Sequence, residues 1–176
     1  RLTKLAEKYT LPVVCLVDTP AAYPGAAAEE RGQAEAIGRS ITEMTTLETP
    51  IIAVITGEGG SGGALGIAVA DVVMMLSNAI YSVIPPEGCA AILWKDSNKA
   101  PEAAEALKIT AKSLLELRVI DQIIEEPLGG AHVDHEATAA ALRAALIRHL
   151  ASLKRVSPRK LAARRFDKLA SMGRYK

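Results

Sequence analysis

The chain has 176 residues, of which 49% are apolar and 23% charged, a composition that fits one soluble globular domain and excludes intrinsic disorder. Its two cysteines, Cys15 and Cys89, are too few for a disulfide framework or a four-ligand zinc site, and they favour a reducing compartment. The net charge is +1, but it is unevenly distributed. Residues 143–176 form a basic segment with eleven Lys or Arg and one acid, Asp167, whereas residues 1–142 are acidic.

The first half of the chain predicts two buried strands that alternate with helices. Residues 12–17 form a continuous apolar run, which is typical of a strand covered on both faces. Apolar residues at helical spacing predict a helix over 29–47, and a second buried strand is expected over 51–56. A glycine-rich loop over 57–63 then leads into a buried helix of small residues over 64–70.

The second half predicts shorter strands followed by helices. The expected elements are strands over 72–76 and 81–84, a turn over 85–88 leading into a short helix that ends near Trp94, helical structure from Lys99, a last strand near Ile123, a helix from Asp134 to about Leu153, and a final helix opened by Ser157-Pro158. Strands and helices that alternate in this way predict an α/β fold with parallel strand pairing.

No segment predicts a membrane span or an export signal. The longest apolar stretches, 64–70 and 72–76, are separated by Asp71 and fall short of the roughly 20 residues that a membrane helix needs. The first residues, 1–5, contain no apolar core of a signal peptide, and the chain does not begin with Met. We therefore expect a cytoplasmic chain that is processed or partial.

Three functional interpretations fit the glycine-rich segment 57–63. Gly57, Gly59 and Gly62 satisfy the G-x-G-x-x-G pattern of a dinucleotide site, but the required acidic residue is not clearly placed, since Asp71 comes too early. A phosphate-binding P-loop is excluded, because Ala64 stands where that motif needs Lys.

The second interpretation is a nucleophile elbow, because residues 59–63 satisfy G-x-S-x-G with Ser61 as the nucleophile. Its base would be one of the three histidines, His132, His135 or His149. The third interpretation is an oxyanion hole made of backbone N–H groups, which explains the many glycines and needs no side chain. A tight turn required only for packing is the remaining possibility.

The basic segment 143–176 predicts an anionic partner or substrate, or else a solvated helix face that neutralises the acidic body. Nucleic acid is not favoured as the partner, because only Phe166 and Tyr175 could stack on bases there.

An ordered set of motifs resembles the α subunit of the bacterial-type acetyl-coenzyme A carboxylase carboxyltransferase, from about Lys4 to the C-terminus. The motifs span residues 18–25, 29–33, 57–66, 81–84, 86–90, 92–95, 99–101 and 126–132. The set is specific as a whole, although no single motif is. The resemblance implies that the N-terminal third or more of the family's chain is absent.

The family's fold, which the resemblance implies here, is a crotonase (ClpP)-like α/β fold of repeated ββα units, present in part and followed by C-terminal helices. We expect residues 1–130 to form this core and residues 131–176 to be a helical extension of the same domain.

The reaction that the resemblance implies moves a carboxyl group from biotin, tethered to a separate carrier protein, to acetyl-coenzyme A, giving malonyl-coenzyme A for fatty acid synthesis. The implied partners are a zinc-bearing β subunit, in an α2β2 assembly, the biotin carboxyl carrier protein and biotin carboxylase. Biotin itself is expected to take the acetyl proton, so no protein base is required. No metal is expected in this chain, because the resemblance places the zinc in the β subunit.

The resemblance implies two kinds of site residue, catalytic and substrate-binding. The backbone N–H groups of Gly59 and Gly60 would stabilise the negative ureido oxygen of biotin as the carboxyl leaves. Substrate-binding residues would be Tyr23, Pro24 and Gly25 in the biotin pocket, Ser61, Gly62 and Gly63 after the catalytic pair, and Glu87 and Gly88 in a second loop at a helix start.

Ala21 departs from the family pattern, which has glycine at this position. If that glycine is left-handed, alanine would cost about 1–2 kcal/mol and could shift Tyr23. Pro85, Val133 and His135 also depart from the family pattern, and we expect none of these departures to touch the glycine segment. Two further function classes stay open, a serine hydrolase or protease that uses Ser61 and a non-catalytic assembly module.

Overall fold

The apolar runs of the sequence form the strands of a parallel sheet. The structure is a computed structural model that describes residues 1–173, so Arg174, Tyr175 and Lys176 of the basic segment lie outside the described residues. The strands are β1 (Val13–Thr19), β2 (Ile51–Gly60), β3 (Val72–Leu76), β4 (Ile80–Ser82) and β5 (Gln122–Ile124). Their order is β1-β2-β3-β5, and β4 pairs with the end of β2. All four strand pairs are parallel, so the predicted α/β fold with parallel pairing is confirmed.

Helices connect and cover these strands. They are α1 (Leu2–Lys8), α2 (Ala26–Glu30), α3 (Gln33–Thr46), α4 (Ser61–Ala68), α5 (Pro86–Trp94), α6 (Ala100–Leu107), α7 (Ala111–Glu116), α8 (His135–Leu153) and α9 (Pro158–Ser171), with a 3-10 turn at Ser97–Lys99. Asp134 caps α8 as predicted, since its Oδ1 accepts a hydrogen bond from the Ala137 N–H at 2.9 Å.

The single helix predicted over 29–47 is wrong, because the chain breaks it into α2 and α3. Gly32 lies between the two helices with φ of +79°, a left-handed conformation that glycine adopts without steric cost. The break is local, since α3 keeps Met44 buried against the core as the helical spacing indicated.

The core lies between β2, β3 and the helices that cover them. Residues 51–55 of β2 are fully buried, and so are Met74 and Met75 of β3. The prediction that β1 is covered on both faces is wrong for the described residues. Val14 and Leu16 are 41% and 57% exposed, because they lie on the face of β1 opposite to Val13, Cys15 and Val17, which pack against the core.

A buried arginine attaches α9 to the end of the sheet at which β2 and β3 begin. The Arg165 side chain is fully buried and makes a two-point ion pair with Asp71, with Nε 3.0 Å from Oδ1 and Nη2 2.9 Å from Oδ2. Its remaining N–H groups donate to the backbone carbonyls of Met44 and Leu47 at the end of α3 and of Thr49. Every side of this guanidinium therefore meets an acceptor, which is the condition for keeping a charge inside a protein.

Two aspartates hold the starts of neighbouring strands in the same way. Asp71, just before β3, accepts from the Ile51 N–H at the start of β2, and Asp121, just before β5, accepts from the Val73 N–H. Helix α9 contacts both aspartates, since Lys168 bridges to Asp121 one turn beyond Arg165. Two cations of the basic segment, Arg165 and Lys168, therefore stabilise the fold, a role that neither interpretation of this segment included.

No helix within residues 1–173 combines the length and the apolar character that crossing a membrane requires.

Replacing Arg165 by alanine is expected to destabilise the chain by about 3–5 kcal/mol, because the Asp71 carboxylate would remain buried without its partner. Urea denaturation of Arg165→Ala measures this loss. Arg164→Ala is the matched control, since the neighbouring side chain is exposed, and it should change stability by no more than about 0.5 kcal/mol. Equal stability of the two variants would show that the buried pair does not hold α9.

Candidate active site

The glycine-rich segment is not the loop that the sequence predicted. Strand β2 continues through Gly57 to Gly60, and α4 begins at once at Ser61. Parallel pairing explains the longer strand, because Glu58, Gly59 and Gly60 pair with 80–82 of β4 and Gly59 also pairs with Thr19 of β1. The β2–α4 junction is therefore a direct step from strand to helix, fixed from both sides.

Close packing explains most of the glycines in this segment. A Cβ at Gly60 would overlap the carbonyl of Pro20, and one at Gly63 would lie 2.8 Å from the carbonyl of Ala21. A Cβ at Gly57 would lie 2.5 Å from Asp18 Oδ1, so residues 18–21 press against the segment along its length. Gly62 is the exception, because its Cβ would meet Ile37 at 3.4 Å, an ordinary contact.

Ala21 lies against the junction, so the expectation that no departure touches the glycine segment is wrong. Its backbone packs on Gly63, and its nitrogen would be 3.1 Å from a Cβ at Gly60. Ala21 is also not among the described residues with positive φ, so the left-handed strain considered for this position does not arise. The alanine is accommodated because the contact uses its backbone and not its side chain.

The N–H groups of Gly59 and Gly60 have neighbours in the sheet. Successive residues of a strand direct their N–H groups toward opposite neighbouring strands, and at this point β1 and β4 flank β2. The first amides beyond the sheet belong to Ser61, Gly62 and Gly63, in the first turn of α4. No side chain caps this helix, because Gly60 occupies the N-cap position. Uncapped amides at the positive end of a helix form a suitable site for an anion.

Two cavities lie on either side of the junction and share Ser82. One has a volume of about 270 Å³ and brings together Gly59, Gly60 and Glu87, three of the predicted site residues. The other has a volume of about 310 Å³ and is lined by Ser61, Gly62 and mainly apolar side chains.

The remaining predicted site residues lie apart from these two cavities. Tyr23 is 72% exposed and lines a separate cavity of about 380 Å³ with Arg31 and Gln33. The Gln33 amide can hold the Tyr23 backbone with two hydrogen bonds, of 2.9 and 3.0 Å. Pro24 and Gly25 lead from Tyr23 into α2, and a Cβ at Gly88 would meet Ile84 at 3.2 Å. The predicted biotin pocket around Tyr23 and the β2–α4 junction are thus adjacent surfaces and not one cavity.

Sequence reasoning gave no role to Asp18 or Tyr81, and both shape the junction. Asp18 Oδ1 accepts from the Glu58 N–H at 3.0 Å, which fixes the end of β2. The Tyr81 ring fills the space above Gly59, where a Cβ would lie 2.8 Å from its Cδ2. Burial raises the pKa of the Tyr81 hydroxyl, so this group stays neutral in the cavity that it shares with Ser61. The signal available for Asp18 was its position directly after the apolar run over residues 12–17.

Ser61 has one property of a nucleophile elbow but lacks the accompanying groups. Its φ of +49° is a strained backbone conformation, as such an elbow requires. Among the described residues that line its cavity there is no histidine and no carboxylate. His149 contacts Gln122 at 2.7 Å, and His132 lies beside Gly130. No described histidine therefore lines the cavity from which it could activate Ser61.

Residues 1–173 match the family model described as acetyl co-enzyme A carboxylase carboxyltransferase-like. The chain belongs to this family. Among curated relatives, it is 59% identical over 175 residues to the acetyl-coenzyme A carboxylase carboxyl transferase subunit alpha of Geobacter metallireducens, covering 99% of this chain and 55% of that one. It is 58% identical over 176 residues to subunit alpha 1 of Burkholderia thailandensis, covering 100% and 54%. The chain spans about half the length of these family members.

Solved structures show the same fold at low identity. The chain matches a Pseudomonas malonate decarboxylase hetero-tetramer with a TM-score of 0.79 and 16% identity, over 97% of this chain and 70% of that one. It matches the transcarboxylase 12S core with a TM-score of 0.64 and 20% identity, over 80% and 28%. The crotonase-like fold expected for the family is thereby confirmed, and the division at residue 130 stays a prediction.

The described residues contain no cluster of three side chains able to hold a metal ion.

Gly60→Ala is expected to destabilise the chain by about 1–3 kcal/mol, because the new Cβ would overlap backbone that cannot move aside without shifting the junction. Gly62→Ala is the matched control, since its Cβ finds an ordinary contact, and it should cost less than about 1 kcal/mol. Urea unfolding curves for both variants measure the difference. Similar midpoints would mean that close contact with Pro20 is not what requires glycine at this position.

Proposed function

We propose that the chain is part of a carboxyltransferase that moves a carboxyl group from carboxybiotin on a carrier protein to acetyl-coenzyme A. Membership of the family and identities of 58–59% to carboxyl transferase α subunits support this reaction. The observation that carries the proposal is the β2–α4 junction, where uncapped backbone amides lie between two cavities.

The groups at the junction fit the ureido ring of biotin. Carboxybiotin supplies the carboxyl group, and its ureido oxygen gains negative charge as that group departs. Peptide amides fixed by a strand and a helix stabilise such a charge without first having to reorganise. The cavity beside Ser61 is lined mainly by apolar side chains, so a ligand that fills it would lower the local dielectric and strengthen these hydrogen bonds.

Two pairs of amides are candidates for this role. Gly59 and Gly60 are the donors that the family resemblance implies, and both line the cavity that contains Glu87. Gly62 and Gly63 are the donors that the fold leaves without a side-chain cap. We propose that the ureido oxygen binds at this junction, where Ser61 and Glu87 line the two cavities and Gly88 follows Glu87. We propose that Tyr23, Pro24 and Gly25, on the adjacent surface, contact the rest of the biotin group.

The whole enzyme requires components that this chain does not contain. We propose that a zinc-bearing β subunit, in an α2β2 assembly, holds acetyl-coenzyme A, and that the biotin carboxyl carrier protein and biotin carboxylase deliver the carboxyl group in the cytoplasm. The exposed cations of residues 154–164 support an acidic partner, because no acid occurs between Glu136 and Asp167.

Replacing a single peptide N–H by an ester oxygen tests which amide acts. We expect the ester at Gly60 or at Gly62 to lower kcat by about 10²–10³-fold, the usual effect of losing one donor of an oxyanion hole. The chain is placed in a full-length α subunit with its β partner, and biotin-dependent decarboxylation of malonyl-coenzyme A is measured. An ester at Leu65, farther along α4, is the matched control for the loss of a helical hydrogen bond.

The outcome distinguishes the donors and the rival mechanism. Loss at Gly60 alone supports the resemblance-based pair, whereas loss at Gly62 alone supports the helix amides. Esters that all behave like the Leu65 control would contradict the proposal. Ser61→Ala should lower activity by no more than about threefold, because the proposed reaction does not use this hydroxyl. A serine hydrolase would instead lose most of its rate.

A further inference from the structure

We propose that Glu126 is a positioning residue, which holds β4 against the glycine end of β2 by clamping two backbone segments with one carboxylate. This inference rests on the proposed function for its catalytic consequence, but its structural part can be tested independently. Glu126 opens the motif over 126–132, to which the proposed reaction assigns no role.

The two carboxylate oxygens of Glu126 bind different segments. Oε1 accepts from the Asn78 N–H at 2.8 Å, just before β4, and Oε2 accepts from the Ala131 N–H at 2.8 Å. The Glu126 N–H in turn donates to Ser77 Oγ at 3.1 Å, and the Ser77 N–H donates to the Ile124 carbonyl at 3.0 Å. The ends of β3 and β5 and the segment before β4 are thus joined through Glu126 and Ser77.

The clamp is two residues from the strand that flanks the candidate site. Asn78 precedes Ile80, and β4 then pairs Tyr81 with Gly59 and Ser82 with Gly60. Glu126 also lines a cavity of about 320 Å³ with Asn78 and with Glu58 of β2. A movement of Asn78 would therefore pass directly to the strand that holds the glycines.

The carboxylate is kept ionised in this setting. Burial acts to raise the pKa of Glu126, but the hydrogen bonds from Asn78 and Ala131 and the charge of His132 outweigh it, so the pKa lies below its ordinary value. The ionised carboxylate accepts from both N–H groups, whereas an amide would direct its NH₂ donor at one of them.

Glu126→Gln tests the clamp in the full-length α subunit with its β partner. Hydrogen–deuterium exchange should become at least about fivefold faster in segments 57–63 and 78–84, and kcat should fall by about tenfold with the KM for malonyl-coenzyme A unchanged. Glu125→Gln is the matched control, because this neighbouring side chain is exposed. Glu126→Asp keeps the charge and should recover part of the exchange protection.

The two proposals fail in different ways. Exchange in 57–63 and 78–84 that is the same for both Gln variants would overturn the positioning role, whether or not the complex transfers carboxyl groups. Faster exchange with full kcat would restrict Glu126 to a structural role and also overturn it. A wild-type complex without carboxyl transfer would contradict the proposed function, whereas faster exchange in Glu126→Gln would still support the clamp.

Discussion

Close backbone contact between residues 18–21 and the end of β2 determines the geometry of the candidate site. Pro20 and Ala21 approach Gly60 and Gly63 so closely that a side chain at either glycine would displace the backbone. This contact fixes where β2 stops and where α4 begins, since the helix starts at the next residue without a capping side chain. The amides of the first helical turn are consequently held in place by packing that does not depend on the ligand.

That arrangement suits chemistry that stabilises charge and needs no nucleophile. Pre-positioned amides act on a developing negative charge at little reorganisation cost, and they need no side chain whose ionisation must be tuned. The described residues that line the Ser61 cavity agree with such chemistry, because they include neither a histidine nor a carboxylate to activate the hydroxyl. In the proposed reaction, this chain therefore acts mainly through backbone groups at the junction, which neighbours such as Asp18 and Tyr81 hold in place.

The strands and most helices could be predicted from the sequence because their signals are local. The apolar run at 51–56 and the Asp134 cap are examples, and both elements form as expected. The end of β2 could not be predicted, since glycines at 57–60 favour a loop and only pairing with β1 and β4 makes them a strand. The Arg165–Asp71 pair joins residues 94 positions apart, so composition alone suggested a solvated or anion-binding cation.

The candidate site was likewise predictable where its signal is local in the sequence, and not where it depends on contacts between distant residues. The family resemblance located the glycine segment and Glu87, and the structure brings Gly59, Gly60 and Glu87 to one cavity. It did not indicate that a Cβ at four of the five glycines would lie within 3.0 Å of a neighbour, because that depends on Asp18, Tyr81 and the backbone of Pro20 and Ala21. Glu126 was part of a recognised motif, but its contacts with Asn78 and Ala131 appear only in three dimensions.

A structure of the complete α–β complex with biotin bound would show directly whether the β2–α4 junction holds the ureido oxygen. We expect this oxygen to lie within about 3.2 Å of a peptide nitrogen between residues 59 and 63. A ureido oxygen that is bound by a side chain, or that is directed away from this junction, would contradict it.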